Sequence, residues 1–268
     1  MPSDVPAIAE LIAPADWRTI DILSDVHLQP TEMETFEAWR VAVTGSNADA
    51  LFILGDLFEA WVGDDALDPA KGDDSAQGEF ERQCADVLRQ TSLQRPIYFM
   101  HGNRDFLLGD AGLAACGMQL LQDPTLLRFA GSNWLLSHGD ALCIGDIAYQ
   151  RFRAQVRSSV WQQSAMQQPL PVRRSMARLI REASVQKQSE LAAYADVDTS
   201  ASREWLHAAH AQGLIHGHTH MPADHDLGND LQRIVLSDWD AAATPSRCEI
   251  LRLEAGAARP RRLTTCSA

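Results

Sequence analysis

His216, His218 and His220 fall within five residues in the stretch LIHGHTH (214–220), directly behind two aliphatic residues. Imidazoles in such number suggest metal ligation, and suitable partners occur elsewhere: Asp25 and His27 in DVH, Asp56 in GD, Asn103 in GN and His138 in HGD. Carboxylate and imidazole donors without thiolate suit Mn²⁺, Fe or Zn²⁺, and the mixture does not decide among them. The seven donors Asp25, His27, Asp56, Asn103, His138, His218 and His220 are too many for one such ion and suit two, if one carboxylate bridges. Asp56, at a glycine turn, is the natural bridge. Paired cations can hold a hydroxide between them and stabilise the entering and leaving oxygens of an in-line displacement at phosphorus. His216 sits inside the aliphatic run, and a core or supporting role is expected for it and for His101.

Five apolar runs must position these donors: TIDILSDVH (19–27), ALFILGD (50–56), IYFMHGN (97–103), NWLLSHGD (133–140) and GLIHGHTH (213–220). Each starts as a buried strand and breaks into Asp, His or Asn. Gly55, Gly102, Gly139 and Gly217 let the chain turn beside a donor without a Cβ in the way. A spacing of two on an extended segment places Asp25 and His27 on one side of the backbone, and likewise His218 and His220. Helical patterns at 31–43 and 78–90 lie between the first runs, so βαβ units and a largely parallel sheet are expected. Sites in such sheets form beyond the carboxyl ends of the strands. RIVLSDW (233–239) and CEILRLEA (248–255) read as closing strands.

At 268 residues and 46% hydrophobic content the chain can bury a sizeable core. A net charge of −13 argues against nucleic acid as a partner. Five cysteines without a CxxC pair suggest reduced thiols of a cytosolic protein. The first 17 residues lack the basic and apolar regions of a signal peptide, and no apolar stretch approaches the roughly 20 residues of a membrane span.

The motifs DVH, GD, GNRD, HGD and GHTH, in that order over residues 19–240, resemble the calcineurin-like metallophosphoesterases. That resemblance implies an α/β fold, a four-layer αββα sandwich around a dinuclear centre. One cation would take Asp25, His27, Asp56 and His220; the other would take Asp56, Asn103, His138 and His218. Mn²⁺ is the expected ion. Within that superfamily, ADALFILGDLFEAWVGDD, YFMHGNRDFLLG and HGDALCIGDIAYQRFR resemble the UDP-2,3-diacylglucosamine pyrophosphohydrolases of lipid A synthesis in Gram-negative bacteria. Their reaction is water attack on the uridine-side phosphorus, releasing UMP and 2,3-diacylglucosamine 1-phosphate. Many superfamily members carry His after the GN pair, whereas Arg104 stands here as in the lipid enzymes. An arginine there reads as a bidentate phosphate clamp, in preference to a salt bridge with Asp105. A leaving group that is already a phosphate needs no proton donor. Asp140 is expected to support the His138 loop. The resemblance offers Asp146, Ser184, Lys187 and Gln188, together with Asn103, Arg104 and His218, as substrate contacts. Asp64 and Asp65 read equally as a solvated loop and as cleft lining.

The division expected is an N-terminal extension (1–18) and a phosphoesterase domain (19–268) carrying a helical cap at about 145–205. Residues 151–187 hold eight basic side chains, among them Arg173, Arg174 and Arg178, against the single acid Glu182. With the apolar stripe Val172, Met176, Leu179, Ile180 and Ala183, this suggests an acyl-chain wall or peripheral contact with the anionic cytoplasmic face of an inner membrane. Two alternative functions fit the same motifs: another metallophosphoesterase, acting on soluble nucleotides, and a phosphoesterase-fold scaffold without catalysis. A scaffold requires lost donors, and all seven are present.

Overall fold

The computed structural model describes residues 5–68, 76–190 and 196–265, and side chains within that span except those of 183–190. Most of the acidic loop after residue 68 therefore lies outside the described residues. The chain forms two six-stranded sheets, numbered here in chain order. One runs β12 (Arg261–Thr264), β11 (Glu249–Glu254), β2 (Thr19–Leu23), β3 (Ala50–Leu54), β4 (Ile97–Met100) and β5 (Met118–Leu121). The other runs β1 (Ala9–Ile12), β6 (Thr125–Phe129), β7 (Ser132–Ser137), β8 (Gly213–His216), β10 (Leu231–Val235) and β9 (Ala223–Gly228). Strands β2 to β5 pair in parallel, as do β7 with β8 and β8 with β10.

The sheets face each other across a core that includes Ile22, Phe52, Leu54, Met100, Leu136, Ile215 and Leu251. Every residue of β3 is buried because both of its faces are covered, which explains its unbroken apolar sequence. Truncating a fully buried Phe52 to alanine costs about 3–5 kcal/mol by transfer and cavity effects. On the outer face of the first sheet, α1 (Met33–Gly45) buries Phe36, Trp39 and Val43, and α2 (Ala76–Ser92) buries Phe80, Cys84 and Leu88, both at helical spacing. Beside them lies α3 (Asp110–Cys116). On the outer face of the second sheet, α7 (Thr199–Ala209) packs Trp205 and Leu206 against Leu135 and Leu214. The layers are therefore helix, sheet, sheet and helix, the αββα sandwich that the resemblance implies.

Three helices make the cap: α4 (Ile147–Val156), α5 (Ser159–Met166) and α6 (Leu170–Glu190). Because α7 belongs to the core layer, the capping helices end short of residue 205. The N-terminal stretch is not an appendage either, since β1 pairs with β6 and forms that sheet's edge strand. The five donor-bearing strands are split, with β2, β3 and β4 in one sheet and β7 and β8 in the other, rather than lying in one. Cys84, Cys116 and Cys143 are buried free thiols, as expected. Cys248 is disulfide-bonded, which departs from the expectation of reduced thiols. No described helix is long and apolar enough to cross a membrane.

Candidate metal centre

Each donor lies just past the carboxyl end of its strand: Asp25 and His27 after β2, Asp56 after β3, Asn103 after β4, His138 after β7, and His218 and His220 after β8. The backbone does not stay extended there. Asp25, His27, Asp56, His218 and His220 all adopt left-handed conformations, with φ of 53°, 53°, 52°, 68° and 53°. Each such residue costs on the order of 1–2 kcal/mol outside glycine. The donors converge because the chain turns at each of them, not because of alternation along a strand. Two glycines make room. A Cβ on Gly102 would lie 2.1 Å from Asp56 Oδ1, and one on Gly217 would lie 2.2 Å from Asp25 Oδ2.

Two groups of donor atoms result, Asp25 with His27 and His220, and Asp25 with Asp56 and His138, each within 4.8 Å of one another. His27 Nε2 faces His220 Nε2 at 3.2 Å, and His220 Nε2 lies 3.5 Å from Asp25 Oδ1. Asn103 Oδ1 meets His138 Nε2 at 3.1 Å and His218 Nδ1 at 2.9 Å, and His138 Nε2 lies 3.8 Å from Asp56 Oδ1. Two ligands bound at about 2.1 Å to one ion sit about 3–3.5 Å apart, so these separations fit shared cations. All seven expected donors are brought together.

The surroundings hold the donors in aim. His138 Nδ1 donates to the Leu54 carbonyl at 2.9 Å, leaving Nε2 free to ligate. Asp25 accepts from the His218 amide at 2.9 Å and from Ser24 Oγ at 2.5 Å. Burial opposes ionisation of Asp25, but the His220 hydrogen bond and the charges of His220, His138 and His27 hold its carboxyl well below the usual range. Burial likewise disfavours a charged His138, yet Asp56, Asp140 and Asp25 push it up to about 9. A centre this rich in buried carboxylate calls for cations.

Arg104 does not pair with Asp105. Its Nη1 donates to Glu59 Oε1 at 3.0 Å, and its Nε lies 3.9 Å from Asp56 Oδ2. Buried Asp105 instead accepts from the Gly102 and Leu57 amides, each at 2.8 Å, and ties the β3 and β4 turns together. Burial and the charge of Asp56 push it up to about 7. Asp140 stands beside His138, whose charged form it favours, and reaches into the cap as well. Its Oδ2 accepts from Tyr149 Oη at 2.7 Å and Arg153 Nε at 2.8 Å, with Arg157 Nη2 at 3.5 Å, so it anchors α4. Asp146 caps α4 by accepting from the Tyr149 amide at 2.9 Å. Ser184, Lys187 and Gln188 fall on α6, and their side chains lie outside the described ones. His216 is buried with Nδ1 2.8 Å from the Gly217 carbonyl, and burial draws it down to about 4. His101 Nε2 meets the Leu108 carbonyl at 2.7 Å, so both histidines are supporting residues.

Asp64 accepts from Trp61 Nε1 and from the Gly109 and Gly112 amides, at 3.0, 2.9 and 2.8 Å, while Asp65 pairs with Arg173. Both border a cavity of about 360 Å³ beside the cap, lined further by Phe106, Leu108, Leu113 and Met166. Glu59, between Arg104 and His27, was not singled out by sequence reasoning. Its signal was a lone acid three residues beyond Asp56 in the same loop.

The calcineurin-like phosphoesterase family model matches residues 18–222, a span that includes every donor. The chain belongs to this family. The phosphoesterase is 43% identical over 229 residues to a Chromobacterium violaceum protein named UDP-2,3-diacylglucosamine hydrolase, covering 82% of this chain and 90% of the relative. A Stenotrophomonas maltophilia protein of the same name is 39% identical over 253 residues, covering 87% and 94%. Among solved structures, an archaeal phosphodiesterase matches the phosphoesterase with a TM-score of 0.45 at 13% identity, over 91% of this chain and 98% of that one. The phosphoesterase is thus a hydrolase whose strand ends carry groups able to hold divalent metal.

Proposed function

We propose that this phosphoesterase hydrolyses the pyrophosphate bond of UDP-2,3-diacylglucosamine to UMP and 2,3-diacylglucosamine 1-phosphate, a step of lipid A synthesis. The observation that carries the reading is the joint placement of seven converging donors and Arg104, in a chain whose relatives bear that substrate's name. Asp25, His27, Asp56 and His220 would hold one cation, and Asp56, Asn103, His138 and His218 the other, with Asp56 bridging. Bound there, two cations, in our reading Mn²⁺, supply a nucleophile at neutral pH and neutralise charge on the phosphoryl oxygens.

The chain's own residues do the rest. Arg104 turns its guanidinium from Glu59 and Asp56 to the phosphoryl oxygens and fixes the diphosphate for in-line attack. Attack on the uridine-side phosphorus expels a sugar phosphate, which leaves as an anion, so no histidine is required in the place of Arg104. Tyr149, its ring centroid 5.7 Å from that of His218, walls the site on the α4 side and shields it from water. The apolar walls of the cavity lined by Phe106, Leu108, Leu113 and Met166 suit an acyl chain.

The cap also supports peripheral contact with an anionic membrane. Ile147, Val160 and Leu179 are 62%, 77% and 65% exposed, beside exposed Arg151 and Arg178. Arg173 and Arg174 do not contribute, because Asp65 and Glu81 occupy them. The decisive assay follows UMP release from the acylated substrate with Mn²⁺ and with chelator, using unacylated UDP-glucosamine as comparison. Release should require metal and acyl chains. Equal turnover of UDP-glucosamine would indicate a phosphoesterase of soluble nucleotides instead. In ¹⁸O-labelled water the label should enter UMP; label in the sugar phosphate would refute attack at the uridine-side phosphorus.

A further inference from the structure

Glu59 joins three segments that are distant in sequence. The loop carrying it is stitched to the loop of Asp25 and His27 by the parallel bridge Leu28–Phe58 and by the Glu59 amide donating to the Leu28 carbonyl at 3.2 Å. The side chain is only 16% exposed. Its Oε2 lies 3.3 Å from His27 Nδ1, on the face of the imidazole opposite to the Nε2 that meets His220. Its Oε1 takes both Arg104 Nη1 at 3.0 Å and Arg181 Nε, from α6 of the cap, at 2.5 Å. One carboxylate therefore touches a donor of the metal centre, the phosphate clamp and a cap helix.

We infer that Glu59 is a positioning residue that couples occupancy of the His27 metal site to docking of α6 through Arg181. His27 can ligate through Nε2 only with its proton on Nδ1, the nitrogen that Glu59 Oε2 approaches to 3.3 Å, an ion-pair distance. A carboxylate behind a ligating imidazole fixes the tautomer and raises ligand basicity, and its loss typically costs about 10–100-fold in metal affinity. The same carboxylate offsets the repulsion of two guanidiniums that would otherwise face each other at the rim. Ordering Glu59 from the His27 side orders Arg181 on the other. The coupling is reciprocal: a docked cap strengthens metal binding by the factor that bound metal strengthens docking.

This inference rests on the metal-centre part of the proposed function and not on the lipid substrate. It is tested by calorimetric Mn²⁺ titration and by amide hydrogen exchange of residues 170–182, with and without Mn²⁺. In the unsubstituted protein Mn²⁺ should bind and slow exchange in α6. Glu59→Gln should weaken one of the two Mn²⁺ sites about 10–100-fold and abolish the slowing. Arg181→Ala changes a side chain 39% exposed and spares the core, so it covers the case in which Glu59→Gln folds poorly. It should also abolish the slowing, and Arg181→Lys should restore it in part. Undiminished Mn²⁺ affinity in Glu59→Gln, or persistent slowing in Arg181→Ala, would overturn the inference alone. An unsubstituted protein that takes up no Mn²⁺ would overturn the metal-centre reading and this inference with it.

Discussion

At the carboxyl ends of the two sheets, side chains from loops far apart in sequence point their donor atoms at one another. In the cap, the buried and half-buried charged side chains Arg153, Arg173 and Arg174 point instead at partners that neutralise them. His27 and His220 bring two nitrogens to 3.2 Å, an arrangement that wants a cation. Arg174 meets Glu81 with two hydrogen bonds of 2.8 Å each, so that buried carboxylate already has its counter-charge. Strain follows the same division. The rim keeps five donors in left-handed turns, while none of the described cap residues from 147 to 182 has a positive φ. Charge alone does not identify a working surface; what decides is whether the structure has already satisfied it.

The sharpest way to break that comparison is at the rim. Asp56→Ala should lower turnover by roughly 10³-fold or more if, as we propose, its carboxylate serves both cations, an electrostatic loss at the upper end of such effects. Metal-dependent UMP release checks it, and circular dichroism should show the fold retained. In the cap the corresponding loss is one of stability. Arg174→Ala leaves Glu81, which is 1% exposed, with Gln77 as its remaining hydrogen-bond donor at 3.0 Å. Breaking a buried pair on one side costs about 3–5 kcal/mol, so denaturant unfolding should detect it while kcat with saturating metal changes little. Exposed Arg178→Ala should stay within about 0.5 kcal/mol of the unsubstituted protein.

Arg104 stands between the two regions. Arg104→Ala should reduce kcat/KM by about 10²-fold, and Arg104→Lys should recover only part of it, because an ammonium cannot grip two phosphoryl oxygens at once. The smallest effect belongs to the membrane. Neutralising Arg151 and Arg178 together should weaken binding to anionic vesicles by about 1 kcal/mol per charge, whereas vesicles without anionic lipid should not distinguish the variants. Equal weakening by Arg173→Gln would contradict the assignment of Arg173 to the interior.

The rim was largely legible in the sequence and the cap was not, for a physical reason. Asp25, Asp56, Asn103, His138 and His218 announce themselves because each follows an apolar strand and a turn, which are local signals. The partners of Arg173 and Arg174 lie 108 and 93 residues away, so the sign of their charge could be read but not its fate. Glu59 was missed for the same reason, since an acid in a loop looks solvated until Arg104 and Arg181 are seen beside it. The pairing of β7 with β8 across the cap insertion, and of β1 with β6, is equally non-local. That is why five strands read as one crevice rather than as two sheets.

The central claim is that donors from both sheets hold two cations side by side at the strand ends. Anomalous scattering from a crystal of the Mn²⁺-loaded protein tests it most directly. The account predicts two manganese peaks, one among Asp25, His27 and His220, the other among Asn103, His138 and His218, with Asp56 touching both. Manganese peaks elsewhere on the surface, with none among these seven side chains, would contradict it.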